Sequence, residues 1–173
     1  ILNSVTVMKT ISLCAIGAAL VDTEVKVSDD FLNKYSIKKG VMTLVDRLRQ
    51  EELKDALDSS SANLKRQSGG SACNTAVAAS HFGAKACFGG KVANDNDGEL
   101  FASDLEDAGV TFFSGKSENG ITGKCLVMVT DDAERTMNTY LGVSESFSEA
   151  EIDQNALMNL SLIHISEPTR LAT

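Results

Sequence analysis

The chain has 173 residues, 43% of them hydrophobic and 23% charged, the make-up of one ordinary globular domain. A formal net charge of −8 excludes a general nucleic-acid or anionic-membrane binder, while local amides still allow a small phosphorylated ligand. Four cysteines, with no Cys-x-x-Cys pair and no histidine beside them, argue against a zinc or disulfide framework and for reduced thiols in the cytoplasm.

In chain order, residues 1–7 precede Met8 and read as upstream translation. Thr10 to Val21 reads as one buried strand. Lys9 ahead of this run resembles a secretory signal, but the run is short and ends in Asp22 and Glu24 without a cleavage site. No segment has the length to span a bilayer. Thr23 to Val27 alternates polar and apolar as a half-exposed strand, Asp29 to Tyr35 suits a short helix, and Gly40 to Val45 a further strand. Asp46 to Asp58 has the period of an amphipathic helix, with Leu48, Leu53 and Leu57 as its apolar face.

Ser68-Gly69-Gly70-Ser71-Ala72-Cys73-Asn74 is the most informative stretch. Paired glycines turn tightly and leave no side chain over a ligand. Ser71 is the expected N-cap of a helix over 72–82, whose amide end attracts oxygen-rich groups. That helix is rich in small apolar residues, so it is expected to be buried, and Asn74 in its first turn then needs a partner. On these residues alone two readings stay open: an amide bonded to nearby backbone, or a ligand for a hydroxyl.

Gly83 closes the helix and Ala86 to Val92 gives a short strand. Asn94 to Gly98 reads as a solvated loop in which Asp97 caps a helix over 98–108, because Asp95 and Asp97 lack the flanking spacing of a calcium loop. Gly109 ends that helix and leaves Val110 to Phe113 extended. Gly123 to Thr130 and Arg135 to Leu141 face each other across Asp131-Asp132-Ala133. Strands alternating with helices indicate an α/β sheet, and the strand pairs near 23–45 and 122–141 a separate small one. His81 stands alone on its helix and reads as structural. The chain contains no Gly-x-x-x-x-Gly-Lys-Ser/Thr loop, no Gly-x-Gly-x-x-Gly and no His-Glu-x-x-His.

Leu160 to Arg170 looks like the translation of a transposase-end adapter, although its Leu-Ser-Leu-Ile-His-Ile portion also has the alternation of a strand. The adapter reading covers the whole run, so residues 160–173, with His164 and Pro168, are set aside as a foreign tail.

The order of these pieces between Met8 and Asn159 resembles the PfkB, or ribokinase-like, family of sugar and nucleoside kinases. The likeness rests on Gly17 to Asp22, Gly69 to Asn74, Gly83 to Lys85, Gly90 to Asp95 and Thr122 to Thr130. Leu20 to Val25, Met42 to Asp46 and Glu134 to Thr139 look most like the bacterial adenosine kinase-type members. The resemblance implies a twisted α/β sheet with helices on both faces and a small β lid built from about 23–45 and 122–141. It implies transfer of the γ-phosphoryl of ATP, with Mg2+, to a primary hydroxyl of a nucleoside or sugar, and a homodimer through the lid. No nucleic acid or membrane partner is implied. By motif position Asp22 would accept from two sugar hydroxyls, Gly69 and Gly70 would let main chain approach the sugar, and Asn74 would bond another hydroxyl. Glu134 would touch the sugar or lid, or else carry a solvent-facing charge.

Ala18 stands where many relatives carry Asn, which removes one substrate contact, and Ala93 stands where Gly is frequent. The family's Gly-Ala-Gly-Asp run, with its catalytic aspartate and most of the ATP site, is expected downstream of this stretch. The stretch is therefore expected to hold half of the acceptor pocket and no catalytic base. The competing reading is a non-catalytic nucleoside- or sugar-binding module on the same scaffold.

Overall fold

In the computed structural model, which describes residues 11–58, 64–113, 116–152 and 160–166, the apolar run expected as one strand breaks at Ala18 and Ala19. Its first part is β1 (Ile11–Gly17) and its second β2 (Leu20–Lys26), and the two belong to different sheets. Continuous hydrophobicity hides the break, because both halves are buried. Then follow α1 (Asp29–Lys34), β3 (Met42–Leu44), α2 (Arg47–Asp58), β4 (Lys65–Gly69) and α3 (Ser71–His81). The expected strand over 86–92 is divided in the same way, into β5 (Ala86–Gly89) and β6 (Val92–Ala93). The chain continues through α4 (Asn96–Asp107), β7 (Thr111–Phe112), β8 (Lys116–Ser117), β9 (Gly123–Val129) and β10 (Arg135–Tyr140). Two 3₁₀ turns, Gly142–Ser146 and Glu149–Glu151, precede β11 (Leu160–Ser166). The expected upstream stretch 1–7 and residues 167–173 lie outside the described residues.

The core sheet runs β11-β1-β5-β7 with every pairing parallel. Helices α3 and α4 cover one face, packing Ala72, Cys73, Ala76, Phe101 and Leu105 against Ala15, Ala86 and Phe88. The other face holds Cys14, Ile16, Cys87 and Leu160 beneath Phe147 and Ile152. All four cysteines are buried and free. The segment set aside as a foreign tail pairs with β1 from Ile11↔Leu160 to Gly17↔Ser166, as its alternation permits, but of its apolar residues only Leu160 is buried.

The second sheet runs β3-β10-β9-β2-β4 and is mixed, with β9 parallel to β2 and antiparallel to β10. Every segment expected to form the small sheet lies in it. Val25, Leu126 and Met128 pack one face on Leu32 of α1 and on Leu53 and Leu57 of α2. Leu48, expected on the apolar face of α2, is 76% exposed, and Gln50 is buried instead. The inward stripe is 50, 53, 57, and Leu48 falls outside it.

Candidate functional site

Asp22 lies in the middle of β2, paired with Gln67 of β4 on one side and Cys125 of β9 on the other. Since side chains alternate across a strand, Leu20, Asp22, Cys125, Thr139 and Arg135 share the face turned away from α1 and α2. The Thr139 hydroxyl donates to the Cys125 sulfur at 3.3 Å. Burial pushes the Asp22 carboxyl up to about 6, with Arg135 pulling it back and Glu24 adding to the rise. Burial likewise pushes the thiols of Cys73 and Cys125 up to about 12, so both are neutral near pH 7.

The glycine pair meets this carboxyl directly. A Cβ at Gly69 would overlap the Asp22 carboxyl group, so only a residue without a side chain lets main chain lie there. Gly70 has φ +99° and a Cβ there would fall 2.5 Å from the Ala18 carbonyl oxygen, a position closed to other residues on both counts. Gly70, not the expected Ser71, is the N-cap of α3, and its carbonyl accepts the first helical bond from the Asn74 amide at 2.9 Å. The Ser71 hydroxyl instead meets that of Ser166 at 2.5 Å.

The other expected site residues lie elsewhere. Asn74 is expected inside a buried helix, but α3 buries only Ala72, Cys73 and Ala76, and Asn74 is exposed. It lines a cavity of about 370 Å³ between α3 and α4 with Gln67, Ser68 and Asp104. Gln67, the register partner of Asp22, is thus shared between the two places. Glu134 is exposed at the far end of the β9–β10 hairpin, with Gly40 packed beside its carboxyl group. Asp22 is level with Thr139, so roughly 13 Å or more of strand separates it from Glu134. Cys125, Thr139 and Arg135 are the neighbours that sequence reasoning missed. The turn at 131–133 sets the β9–β10 register and brings Cys125 opposite Thr139, but nothing local announces that β9 lies parallel to β2.

The polar loop after β6 joins the two sheets. Asp95, not Asp97, caps α4 by accepting from the Gly98 amide at 2.8 Å, and it also accepts from the Thr122 amide and hydroxyl at 2.9 and 2.6 Å. These bonds hold its carboxyl below the usual range despite burial. Asp97 is buried in the first turn of α4, where its carboxylate pairs with Lys124 at 2.7 Å and with Arg66. No group of three or more His, Cys, Asp or Glu positioned to hold a metal occurs among the described residues. No described helix is long and apolar enough to cross a membrane.

Comparison with known proteins returns the same scaffold. The chain is 35% identical over 121 residues to an ATP-dependent ribose-1-phosphate kinase of Halopiger xanaduensis, covering 69% of this chain and 41% of that protein. It is 30% identical over 151 residues to an adenosine kinase of Saccharomyces cerevisiae, covering 84% and 44% respectively. The crystal structure of adenosine kinase from Sinorhizobium meliloti superposes with a TM-score of 0.81 at 32% identity, over 90% of this chain and 46% of that one. The chain thus spans less than half the length of these relatives. The profile of the pfkB family carbohydrate kinases matches residues 40–173, most of the chain. Together with two sheets that meet at Asp22 and the glycine pair, this match places the chain in the PfkB family.

Proposed function

We propose that this chain supplies the acceptor-binding half of an ATP-dependent kinase acting on a primary hydroxyl of adenosine or a related nucleoside or sugar. The observation that carries this reading is the partly buried Asp22 carboxyl seated on bare main chain at Gly69. A carboxylate in that setting accepts from two neighbouring hydroxyls, and the glycine leaves room for the carboxyl itself to lie against the backbone. Charge-assisted bonds of this kind contribute about 1.5–3 kcal/mol each. With Arg135 near Asp22 and Thr139 on the same face, the second sheet closes over the acceptor as a lid and keeps water from the reacting hydroxyl.

When bound, ATP with magnesium supplies the phosphoryl group and neutralises its charge. The described residues offer no metal cluster, so no step is assigned to the metal in this part of the protein. Asn74, across Gln67 from Asp22, serves as a second hydroxyl ligand in this reading. Glu134 serves the lid rather than the sugar.

The test is phosphoryl transfer from ATP to adenosine and to ribose 1-phosphate by the full-length protein. Asp22→Ala is expected to raise the KM for the accepted substrate at least tenfold, and wild-type kinetics in that variant would remove the assignment. Residues 8–159 alone are expected to show no transfer, because the catalytic aspartate is assigned downstream. Measurable turnover by that stretch would place the base within it.

A further inference from the structure

Asp104 belongs to α4, a helix of the core layer, yet its half-buried carboxylate reaches across to the second sheet. Its Oδ2 accepts from the main-chain amide of Ser68 at 2.5 Å. β4 ends that sheet, with β2 on its one hydrogen-bonded side. In an antiparallel pair every second N–H points away from the partner strand, and an edge strand leaves those groups bare. Ser68, paired with Val21, turns its N–H outward in this way, and Asp104 takes it.

The next residue is Gly69, whose main chain lies against the Asp22 carboxyl, and after it comes Gly70, the N-cap of α3. Neither has a side chain to pack, so the pair is located by what grips the chain on either side. Beyond the pair, the Asn74 amide donates to the Gly70 carbonyl at 2.9 Å. Before it, β2 holds one side of β4 and Asp104 the other. Asp97, two turns earlier on the same helix, also holds this strand, but through the long side chain of Arg66. Asp104 grips main chain directly, one residue ahead of Gly69. The Cys73 thiol marks how near the parts lie: burial raises it most, and Asp22 and Asp104 both add to the rise.

We propose that Asp104 is a positioning residue for the acceptor site, holding the Ser68 amide so that Gly69 stays against the Asp22 carboxyl. It acts through Gly69 and Asp22, and the inference rests on the acceptor reading of Asp22 given above.

The experiment compares Asp104→Ala, Asp104→Asn and Leu53→Ala in the full-length protein, with adenosine or ribose 1-phosphate as acceptor, whichever it phosphorylates. Asp104→Ala is expected to raise the acceptor KM about tenfold while kcat stays within about twofold of wild type. Asp104→Asn keeps a carbonyl oxygen for the Ser68 amide and is expected to bring KM back to within about twofold. Leu53→Ala loosens the same sheet from its other face and is expected to lower the melting temperature without moving KM. Amide hydrogen exchange reads the bond itself, with Ser68 expected to exchange about tenfold faster in Asp104→Ala and at the wild-type rate in Asp104→Asn. The proposal is overturned, with the acceptor reading left standing, if Asp22→Ala raises KM and Asp104→Ala does not. It is overturned as well if Asp104→Asn fails to rescue, or if Leu53→Ala raises KM as much as Asp104→Ala. An unchanged KM in Asp22→Ala removes the acceptor reading and this inference with it. Should Asp104→Ala fail to fold, the wild type decides: a Ser68 amide exchanging as fast as in an unfolded chain overturns the proposal, and a protected one together with the Asp104→Asn result upholds it.

Discussion

The Asp22 carboxyl is the most perturbed acidic group near the glycine pair, and its environment sets a pH dependence with a definite sign. Raised from about 4 to about 6, it binds more protons in the folded chain than in the unfolded one between those values. Its contribution to stability therefore falls as pH rises from about 4 to about 6, and Asp22→Asn is expected to flatten that slope in thermal melts. Acceptor affinity runs the other way. Only the ionised form accepts from two hydroxyls without donating, so 1/KM is expected to rise through pH 6 in the full-length enzyme and to lose that step in Asp22→Asn.

Among the elements, α2 separates periodicity from burial. Leu53 and Leu57 are 0% and 1% exposed, whereas Leu48 is 76% exposed. Leu53→Ala is expected to destabilise by about 2–5 kcal/mol, and Leu48→Ala by no more than about 0.5 kcal/mol, in denaturant melts. Equal losses would contradict the packing. The same contrast bounds what the residues announce by themselves. Helix positions, the glycine pair and the hairpin are legible because capping, φ > 0 and turn chemistry are local. The break at Ala18–Ala19 and the division at Gly90 are not, since a buried strand reads alike whichever sheet takes it. The N-cap passes from Ser71 to Gly70 and from Asp97 to Asp95 for a tertiary reason. In each helix the expected capping side chain is drawn off, by Ser166 in one and by Arg66 and Lys124 in the other. Composition overstates the burial of Asn74, because only one side of α3 is packed.

At the level of the whole molecule, Asp97 ties the sheets together. It sits on a core helix, yet both of its cations come from the second sheet, from the strands on either side of β2. Arg66 is paired with Thr23 and Lys124 with Val21, so the tie grips β4 and β9 at the two positions flanking Asp22, from below. Removing a carboxylate buried between two cations leaves both uncompensated, and Asp97→Ala is expected to cost about 3 kcal/mol. A melt unchanged from wild type would show the tie to be dispensable. The strand at Leu160–Ser166 is held by its pairing with β1, by Leu160 and by the Ser71–Ser166 contact, while Leu162, Ile163 and Ile165 stay 45–65% exposed.

Four passages of backbone run between the sheets, and they bunch together. Gly70 lies on the carbonyl of Ala18, Gly123 on those of Ala19 and Leu141, and Gly142 on that of Ile121. Glycine at three of these points lets main chain stack on main chain with no side chains between. A methyl group at any of the three would meet a carbonyl oxygen of the neighbouring crossing, so a single substitution there would wedge the crossings apart and with them the Asp22 face from the start of α3.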